Sequence, residues 1–535
     1  MREPAAYQRI ALSATIGVAL LVGLVAPAHA LARLPAYFQD LSLVRGLDWP
    51  VGLAFVPDGR LLFVECKSAR IRMIVRGAIA SVDPIGTVDS VAAVDGEQGL
   101  WGIVVDPRWP AKPFLYVMYG ALDSTLRISR LTLTGSLSDS SSGNLFVVPG
   151  SRRDVIRDAP DQYDDHNGGC LRFGADSMLY ASFGDDLAPC HAEDHSQLYG
   201  VIARMDVRKL PDTPGPPDKA LIVPPDNPFV NSSLPNERLV YARGFRNPFR
   251  FNIDRLTGRV FVADVGLQTY EELDVIDVPG ANMGWPYFEG PQSYLPTQCG
   301  PAAPPGLQAP AFYYGRNQPC YYTSTDLCPA AVIGGPVIRS VATPVSFPPE
   351  YDGQYLFSDF YDGFLWRIRD SLGTWVKAPP VPGQPTAIDW GRGFTGVTDY
   401  AQAPDGSLYY CISTDLYYSS LAGEIHRIVY RAPTLAAPGR SPAVAEFAAI
   451  YPSPAHGSAT LRYVLARAAT VRLAIFDAQG RRMRQLVEPT RQSASEYRVH
   501  WDGTDDAGRA VPPGVYVARL GVGNDVSDRR IPIIR

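Results

Sequence analysis

A hairpin pattern recurs along most of this chain. In its clearest copy, residues 52–64, the turn Pro57-Asp58-Gly59 separates two apolar runs. Short apolar runs bounded by Gly and Pro predict β-strands, and a tight Gly-containing turn between two such runs predicts a hairpin. Five further copies, in degraded form, cover residues 102–117, 171–181, 249–262, 351–357 and 403–409. A chain built from hairpins must bury them against one another, which predicts an all-β fold.

Six hairpin units with long insertions between them indicate radial repetition. Convincing helical patterns are scarce in the insertions, and 48 glycines, 49 prolines and 28 tyrosines suit many short strands joined by turns. We therefore predict a six-bladed β-propeller over residues 31–432. A large irregular sandwich is the alternative.

The composition of the chain changes after the last hairpin. Residues 433–446 are rich in Ala and Pro and are predicted to form a linker. Runs at residues 460–464, 470–476 and 514–520 predict strands, with turn residues between them, so residues 447–535 are predicted to form a small Ig-like β-sandwich.

The N-terminus reads as a processing signal. Two arginines precede an apolar run, and Ala28-His29-Ala30 follows as a small-x-small cleavage pattern, so residues 1–30 are predicted to be a secretory signal peptide. No later stretch predicts a transmembrane span. The expected location is secreted, periplasmic or at the cell surface.

Export permits disulfides, and the chain has seven cysteines. Local pairing among Cys299, Cys320 and Cys328 and pairing of Cys170 with Cys190 are both plausible from the spacing. The net charge of −5 gives no electrostatic case for a nucleic-acid partner.

Four loops place polar side chains beside Gly or Pro next to predicted strands, where blades open onto a central channel. They are Gly96-Glu97-Gln98-Gly99, Asp165-His166-Asn167-Gly168-Gly169, Gly184-Asp185-Asp186 and Gly244-Phe245-Arg246-Asn247-Pro248. If they converge, they supply a base (His166), a carboxylate (Asp185), a fixed cation (Arg246) and two amides (Gln98, Asn247). That set suits proton abstraction from a hydroxyl beside a developing anion.

These loops, in this order, resemble those of the soluble quinone-dependent glucose/sorbosone and aldose sugar dehydrogenases. Further matching stretches are Asp264-Val265-Gly266, Glu271-Glu272, Asn282-Met283-Gly284-Trp285-Pro286 and Glu289-Gly290. The resemblance implies an enzyme that binds pyrroloquinoline quinone (PQQ) and calcium and oxidises the C1 hydroxyl of an aldose to the lactone. It implies His166 as general base, hydride transfer to the quinone, and Arg246, Gln98, Asp185 and Asn247 completing the site.

The resemblance also implies calcium ligands and a cationic clamp for the cofactor's carboxylates. The calcium ligands would be backbone carbonyls at the Gly266-Leu267 turn, since calcium prefers hard oxygen ligands. For the clamp, Arg339 is the first candidate, ahead of Arg316 and Arg392. The chain departs from the family pattern at Gly200-Val201, which lacks the usual lysine, and at Ala175-Asp176-Ser177, which replaces Pro-Asp-Gly.

The C-terminal region resembles the Ig-like module of flagellar hook-capping proteins and the sorting domains of the type IX secretion pathway. The Tyr451-Pro452 opening, the Trp501-Asp502-Gly503 turn and the Gly514-Val515-Tyr516 strand carry this resemblance. It implies export or surface attachment and no chemistry.

Two other functions remain open at this point. One is a non-catalytic extracellular propeller that binds carbohydrate or protein. The other is a calcium-dependent hydrolase, for which only Glu97 and Asp185 are candidate carboxylate ligands. The sugar and the electron acceptor are not identified by the sequence.

Overall fold

The computed structural model describes most of the chain. The described residues are 32–93, 96–138, 143–163, 165–213, 215–294, 299, 302–316, 330–413, 422–432, 445–452, 455–465, 468–522 and 525–534. The predicted signal peptide and most of the predicted linker lie outside them. The chain divides into two compact units, Met1–Ala432 and Pro433–Arg535.

The first unit is built from antiparallel sheets. Its first fifteen strands are β1 Phe38–Leu47, β2 Pro50–Phe55, β3 Leu61–Glu65, β4 Arg70–Val75, β5 Ala78–Ile79, β6 Gly86–Thr87, β7 Leu100–Val105, β8 Phe114–Ala121, β9 Thr125–Gly135, β10 Leu145–Val147, β11 Arg153–Pro160, β12 Leu171–Phe173, β13 Leu179–Phe183, β14 Val201–Met205 and β15 Val240–Arg243. The next fourteen are β16 Arg250–Ile253, β17 Val260–Asp264, β18 Tyr270–Ile276, β19 Phe288–Glu289, β20 Gln292–Ser293, β21 Phe312–Gly315, β22 Val332–Val337, β23 Tyr355–Asp359, β24 Phe364–Ser371, β25 Thr374–Lys377, β26 Gly391–Arg392, β27 Val397–Gln402, β28 Leu408–Ile412 and β29 Gly423–Tyr430. Short 3₁₀ helices lie at Pro189–Glu193, Lys219–Leu221, Glu237–Leu239 and Pro349–Tyr351.

These strands form a β-propeller. In the described residues, the sheets of four or five strands are β2-β3-β4-β5 with β6, β7-β8-β9-β10 with β11, β12-β13-β14-β15, β16-β17-β18-β21, β22-β23-β24-β25 with β26, and β27-β28-β29-β1. The first-named strand of each sheet lies next to the first-named strand of the following sheet, and β27 lies next to β2, so the series closes into a ring. The ring is completed by β1, which pairs with β29 from Phe38↔Tyr430 to Leu47↔Gly423.

Four of the six predicted hairpins supply both inner strands of one sheet, whereas residues 351–357 and 403–409 hold only the turn and the start of the second strand, β23 or β28. The pairs β2/β3, β7/β8, β12/β13, β16/β17, β22/β23 and β27/β28 are all antiparallel. Strands such as β3 and β13 are buried along their whole length because each faces a neighbouring sheet on both sides. Where the third hairpin lacks glycine, Ser177 adopts the left-handed conformation itself, with φ of +61°.

The second unit is a two-sheet β-sandwich. Its strands are β30 Ala445–Tyr451, β31 Ala455–His456, β32 Ala459–Leu465, β33 Ala469–Phe476, β34 Arg482–Gln492, β35 Ser495–Trp501, β36 Gly514–Val522 and β37 Asp525–Ile534. One sheet has the order β30-β32-β35 and the other β31-β37-β36-β33-β34. Alternating side chains of both sheets, among them Leu461, Leu473 and Trp501, are buried in one core. The strands predicted at residues 460–464, 470–476 and 514–520 are confirmed.

The predicted pairing of Cys170 with Cys190 is wrong. Cys190 forms a disulfide with Cys299, whereas Cys170 is a buried free thiol whose Sγ lies 3.5 Å from the carbonyl oxygen of Phe251. The prediction relied on the short distance between the two cysteines in sequence. Cys170 is buried at the start of a strand, however, whereas Cys190 lies in a surface 3₁₀ helix. The disulfide to Cys190 also excludes pairing of Cys299 with its sequence neighbours, and Cys320 and Cys328 lie outside the described residues.

Candidate functional site

One end of the propeller channel carries the loops that the sequence singles out. These loops precede the first strand of a sheet or follow its second strand. Here lies a cavity of about 200 Å³. Its wall is formed by Trp49, Val51, Cys66, Gly96, Glu97, Trp101, Asp165, Phe249, Val265, Ala331, Ile333, Phe360, Tyr361 and Thr398. The cavity is therefore mainly aromatic and apolar, with carboxylates at one side.

Asp165 lines this cavity, and the next residue, His166, is held by Asp185, as predicted. The imidazole Nδ1 lies 2.6 Å from Asp185 Oδ1. The other carboxylate oxygen of Asp185 accepts a hydrogen bond from the indole N–H of Trp285, at 2.9 Å. Asp185 is completely buried, and the His166 side chain retains 12% exposure. No hydrogen bond to Nε2 of His166 comes from the described residues, which leaves that nitrogen available as a base.

The backbone around His166 adopts conformations that ordinary residues avoid. His166, Asp186 and Leu187 have φ values of +62°, +55° and +56°. Left-handed backbone costs roughly 1–2 kcal/mol per residue that carries a Cβ, and such strain clusters at functional sites. Gly168 and Gly169 also have positive φ, and a Cβ on Gly168 would lie 2.8 Å from the carbonyl oxygen of Ser182. These glycines let the His166 loop lie directly against the next strand.

Arg246 and Asn247 are positioned by Asp264, whose carboxylate accepts both of their backbone N–H groups at 2.9 and 2.7 Å. Burial raises the pKa of Asp264 to about 7, and those two N–H groups oppose the rise. The guanidinium of Arg246 donates to the carbonyl oxygens of Val265 and Gly266, at 2.8 and 2.7 Å. Burial lowers the pKa of Arg246, and its Nε has no hydrogen-bond partner among the described residues. An unsatisfied buried donor of a charged group is suited to bind an anionic or carbonyl oxygen.

Glu97 ties three of the predicted loops together. Its carboxylate accepts the backbone N–H of Asn167 at 3.2 Å and the side-chain amide of Asn247 at 3.0 Å. The amide oxygen of Asn247 accepts the N–H of Gly168 at 3.1 Å. Burial raises the pKa of Glu97. Asn247 therefore braces the His166 loop. The main-chain oxygen of Gln98 accepts a hydrogen bond from Lys67 at 2.7 Å, and this bond fixes the Gln98 loop at the cavity wall.

The carbonyls predicted as calcium ligands bind arginines in this structure. Gly266 O accepts from both Arg246 and Arg316, each at 2.7 Å, and Leu267 O accepts from Arg316 at 2.9 Å. Arg316 also pairs with the buried carboxylate of Glu271. The described ranges contain no group of three or more His, Cys, Asp or Glu side chains arranged for a metal ion. In this conformation the carbonyls of the turn bind two guanidinium groups rather than a metal ion.

Arg339, predicted as a cofactor ligand, is not at this site. It follows β22, whose first residues border the site, so it lies at the opposite end of that strand. There it lines a second cavity and donates to Asp254, with Nε 2.9 Å from Oδ1. Arg392 pairs with Asp389 and Asp362, and Arg316 is the one of the three candidates that contacts the Gly266-Leu267 turn.

Sequence analysis named Trp285 only within a stretch that matches the family and did not predict its bond to Asp185. It also missed the aromatic wall, because residues such as Trp101, Phe249 and Phe360 lie far apart in sequence and meet only in the closed ring. The position of these residues in the hairpins could have predicted the wall. Each lies at one end of a first or second hairpin strand, the same end that carries the four polar loops.

Known proteins similar to this chain agree with the fold. The HIPL2 protein of Arabidopsis thaliana is 30% identical over 257 residues, which cover 46% of this chain and 35% of the relative. Aldose sugar dehydrogenase YliI of Escherichia coli (strain K12) is 26% identical over 300 residues, covering 55% of this chain and 75% of that relative. The chain spans about a third of the length of the two Arabidopsis HIPL relatives it matches. The PQQ-bound aldose sugar dehydrogenase of Streptomyces coelicolor has the same fold, with a TM-score of 0.53 and 24% identity over 74% of this chain and 99% of that one.

Two family models match the chain. The FlgD Ig-like domain matches residues 449–523. The glucose/sorbosone dehydrogenase family matches residues 47–320, about half of the chain. The matched range contains the loops that carry His166, Asp185, Arg246 and Gly266. The chain therefore belongs to the glucose/sorbosone dehydrogenase family.

Proposed function

We propose that this protein is an exported, PQQ-dependent dehydrogenase that oxidises the C1 hydroxyl of an aldose to the lactone. The observation that carries the proposal is His166, which is bonded through Nδ1 to the buried Asp185, receives no bond at Nε2 from the described residues, and follows Asp165 in the wall of an aromatic cavity. The similarity of the chain to sugar dehydrogenases supports the substrate class.

The cavity suits a flat aromatic anion. Trp101, Phe249 and Phe360 offer apolar walls for a planar ring. Arg246, whose buried Nε has no partner among the described residues, and the adjacent Arg316 would hold the oxygens of the cofactor. When bound, PQQ would supply the acceptor for the hydride that leaves the sugar carbon.

The residues of the chain supply the acid–base chemistry. Nε2 of His166 would take the proton of the sugar hydroxyl, and the charge of Asp185 would stabilise the imidazolium that forms. Arg246 keeps its positive charge throughout and would stabilise negative charge that develops on a nearby oxygen. The apolar wall excludes water, which strengthens both electrostatic effects.

The arrangement at Gly266 and Leu267 does not fit calcium, because both carbonyls accept hydrogen bonds from guanidinium groups. A divalent cation placed there would meet two positive charges within a few ångström. No step of the reaction is therefore assigned to calcium, which stays a prediction of the family resemblance.

Reconstitution tests the proposal. The exported chain, purified and stripped of metal with EGTA, would be titrated with PQQ with and without calcium, and dye reduction would then be followed with a panel of aldoses. We expect saturable PQQ binding and sugar-dependent turnover. Absence of PQQ binding under both metal conditions would overturn the proposal.

A non-catalytic binding propeller remains the second candidate. The position of Arg339 favours it, since the cofactor carboxylates then have fewer cations than the family resemblance implies. The same titration separates the two functions, because a binding module would retain sugar affinity without PQQ and without turnover. Export and surface attachment, suggested by residues 1–30 and the Ig-like unit, are proposals that fractionation of cells would test.

A further inference from the structure

We propose that Trp285 is a positioning residue of this site. Its indole N–H holds the Asp185 carboxylate in the rotation that presents the other oxygen to Nδ1 of His166. The catalytic consequence rests on the proposed function, whereas the alignment of His166 does not.

The three side chains form one continuous hydrogen-bonded chain. Trp285 Nε1 lies 2.9 Å from Asp185 Oδ2, and Asp185 Oδ1 lies 2.6 Å from His166 Nδ1. The backbone N–H of Asp185 donates to the carbonyl oxygen of Arg246 at 2.8 Å, so the main chain of Asp185 is also fixed. Asp185 is completely buried and Trp285 is 4% exposed. Each carboxylate oxygen thus has one side-chain donor, and removing either donor leaves a buried charge partly unsatisfied.

The ring of Trp285 cannot turn away from Asp185 without disturbing several neighbours. Its backbone N–H donates to the carbonyl oxygen of Gly244 at 3.0 Å. Tyr294 stacks on the ring, with centroids 5.1 Å apart and planes at 12°. The guanidinium carbon of Arg246 lies 5.9 Å from the ring centroid. Packing alone would accept any aromatic ring here, but only an indole directs an N–H donor at Asp185.

A covalent constraint reinforces this geometry. The disulfide Cys190–Cys299 joins the 3₁₀ helix that follows Asp185 to the segment beyond Tyr294. Asn282, three residues before Trp285, donates to Glu193 of the same helix at 2.7 Å. The two segments that carry the donor and the acceptor of the indole bond are therefore held together on both sides of Trp285.

The chain offers a matched control in Trp366. Its indole N–H donates to the buried Asp389 at 2.6 Å, and the other oxygen of Asp389 accepts from Arg392 at 2.7 Å. Trp366 and Asp389 are as buried as Trp285 and Asp185. The pair has the same chemistry but contacts neither His166 nor Arg246. Trp285→Phe and Trp366→Phe therefore remove the same kind of bond, one in the site and one outside it.

The experiment uses the full exported chain without cofactor and then with PQQ. In the cofactor-free protein, the Nδ1 proton of His166 is observed by proton NMR with isotope-labelled histidine, and His166→Gln identifies its downfield resonance. We expect Trp285→Phe to shift this resonance upfield or to broaden it by exchange with water, and Trp366→Phe to leave it in place. With PQQ and sugar, we expect Trp285→Phe to lower kcat about 10- to 100-fold, with KM changed less than threefold, as for loss of a buried bond to a charged group.

Two results would overturn the inference: an unmoved His166 resonance in Trp285→Phe, or equal losses of kcat in Trp285→Phe and Trp366→Phe. If the wild-type chain shows no turnover with PQQ, the proposed function fails, and the NMR comparison still decides the role of Trp285. Circular dichroism of both variants confirms that each is folded before either readout is taken.

Discussion

The two ends of the propeller channel differ in how their polar groups are satisfied. At the far end, where the hairpin turns lie, the charged side chains pair with one another: Arg60 with Asp58, Arg108 with Asp106, Arg339 with Asp254, and Arg427 with Asp405. At the His166 end, Arg246 Nε and Asn167 Oδ1 are buried without partners among the described residues. The far cavity is the larger, at about 510 Å³ against about 200 Å³. Cavity size therefore does not identify the site here, whereas a buried charged donor, Arg246 Nε, beside the strained backbone of His166 does.

The largest expected loss of activity at the His166 end of the channel comes from replacing His166 itself. His166→Gln removes the base and should lower sugar-dependent dye reduction by about 1000-fold, within the range of general base catalysis. His426 is the control, because both of its ring nitrogens already contact carboxylates, Asp40 at 3.1 Å and Glu424 at 2.9 Å. His426→Gln should keep activity within about threefold. Equal losses in the two variants would contradict the assignment of the base.

Exchanging arginine for lysine at each end tests the contrast a second way. Arg246→Lys removes the planar fork that donates to the Val265 carbonyl and that, in the proposed function, would hold the cofactor, and should lower kcat/KM about 100-fold. Arg339→Lys loses a bidentate bond to Asp254 and should lower the melting temperature by a few degrees without lowering kcat/KM. A larger activity loss in Arg339→Lys would show that the far end takes part in catalysis.

Adding one methyl group at Gly184 should displace the His166 loop and lower activity. A Cβ on Gly184 would lie 2.0 Å from the carbonyl oxygen of His166, so Gly184→Ala must displace the His166 loop. We expect kcat to fall at least about tenfold, since small misplacements of reacting groups are costly. At Gly315 a Cβ would approach no atom of the described residues closer than 3.9 Å, and Gly315→Ala should be nearly neutral. Steady-state kinetics of both variants decide this, and unchanged kcat in Gly184→Ala would contradict the close approach.

The smallest expected effect concerns stability against pH. Burial alone would lower the pKa of His426, but hydrogen bonds and charges from Asp40 and Glu424 raise it above its ordinary value of about 6.5. A raised pKa in the folded state stabilises the fold below pH 6.5, and this contribution is lost as pH rises through the folded pKa. His426→Gln should therefore lower the free energy of unfolding by on the order of 1 kcal/mol in acid, and by less in alkali.

Urea unfolding at several pH values, monitored by tryptophan fluorescence, measures this difference. Replacement of the exposed His500, whose Nδ1 contacts the hydroxyl of Thr460, is the control. If the difference in free energy of unfolding between wild type and His426→Gln grew as pH rises, the folded protein would not favour the protonated imidazole.

The inner hairpins and the four polar loops could be predicted because their determinants are local. Turn residues and apolar runs within a dozen positions define β2/β3 or β12/β13, and glycines next to His166 mark a loop that approaches other backbone. Arg339 was misplaced because the prediction ignored strand direction. His166 and Arg246 precede first strands, whereas Arg339 follows one, and β22 separates the two ends by about 20 Å.

Partners that lie far apart in sequence could not be predicted from the sequence. Trp285 and Asp185 are separated by 100 residues, and Cys190 and Cys299 by 109. The closing strand β1 carries no turn signal that marks it as the partner of β29. In each case the residue type is compatible with several roles, and the neighbour in space selects one of them.

The pairing of β1 with β29 also sets the order in which this fold is completed. Phe38 is among the first residues of the propeller to be synthesised and its partner Tyr430 is among the last. Until the ribosome has released that final strand, β1 has an unpaired edge and the ring is open, with its channel loops unable to converge. Long-range pairing of this kind slows folding. If the chain is exported as we propose, this late closure leaves the ring open until the last strand is made, so that an export machinery that threads unfolded polypeptide meets the chain before the propeller closes.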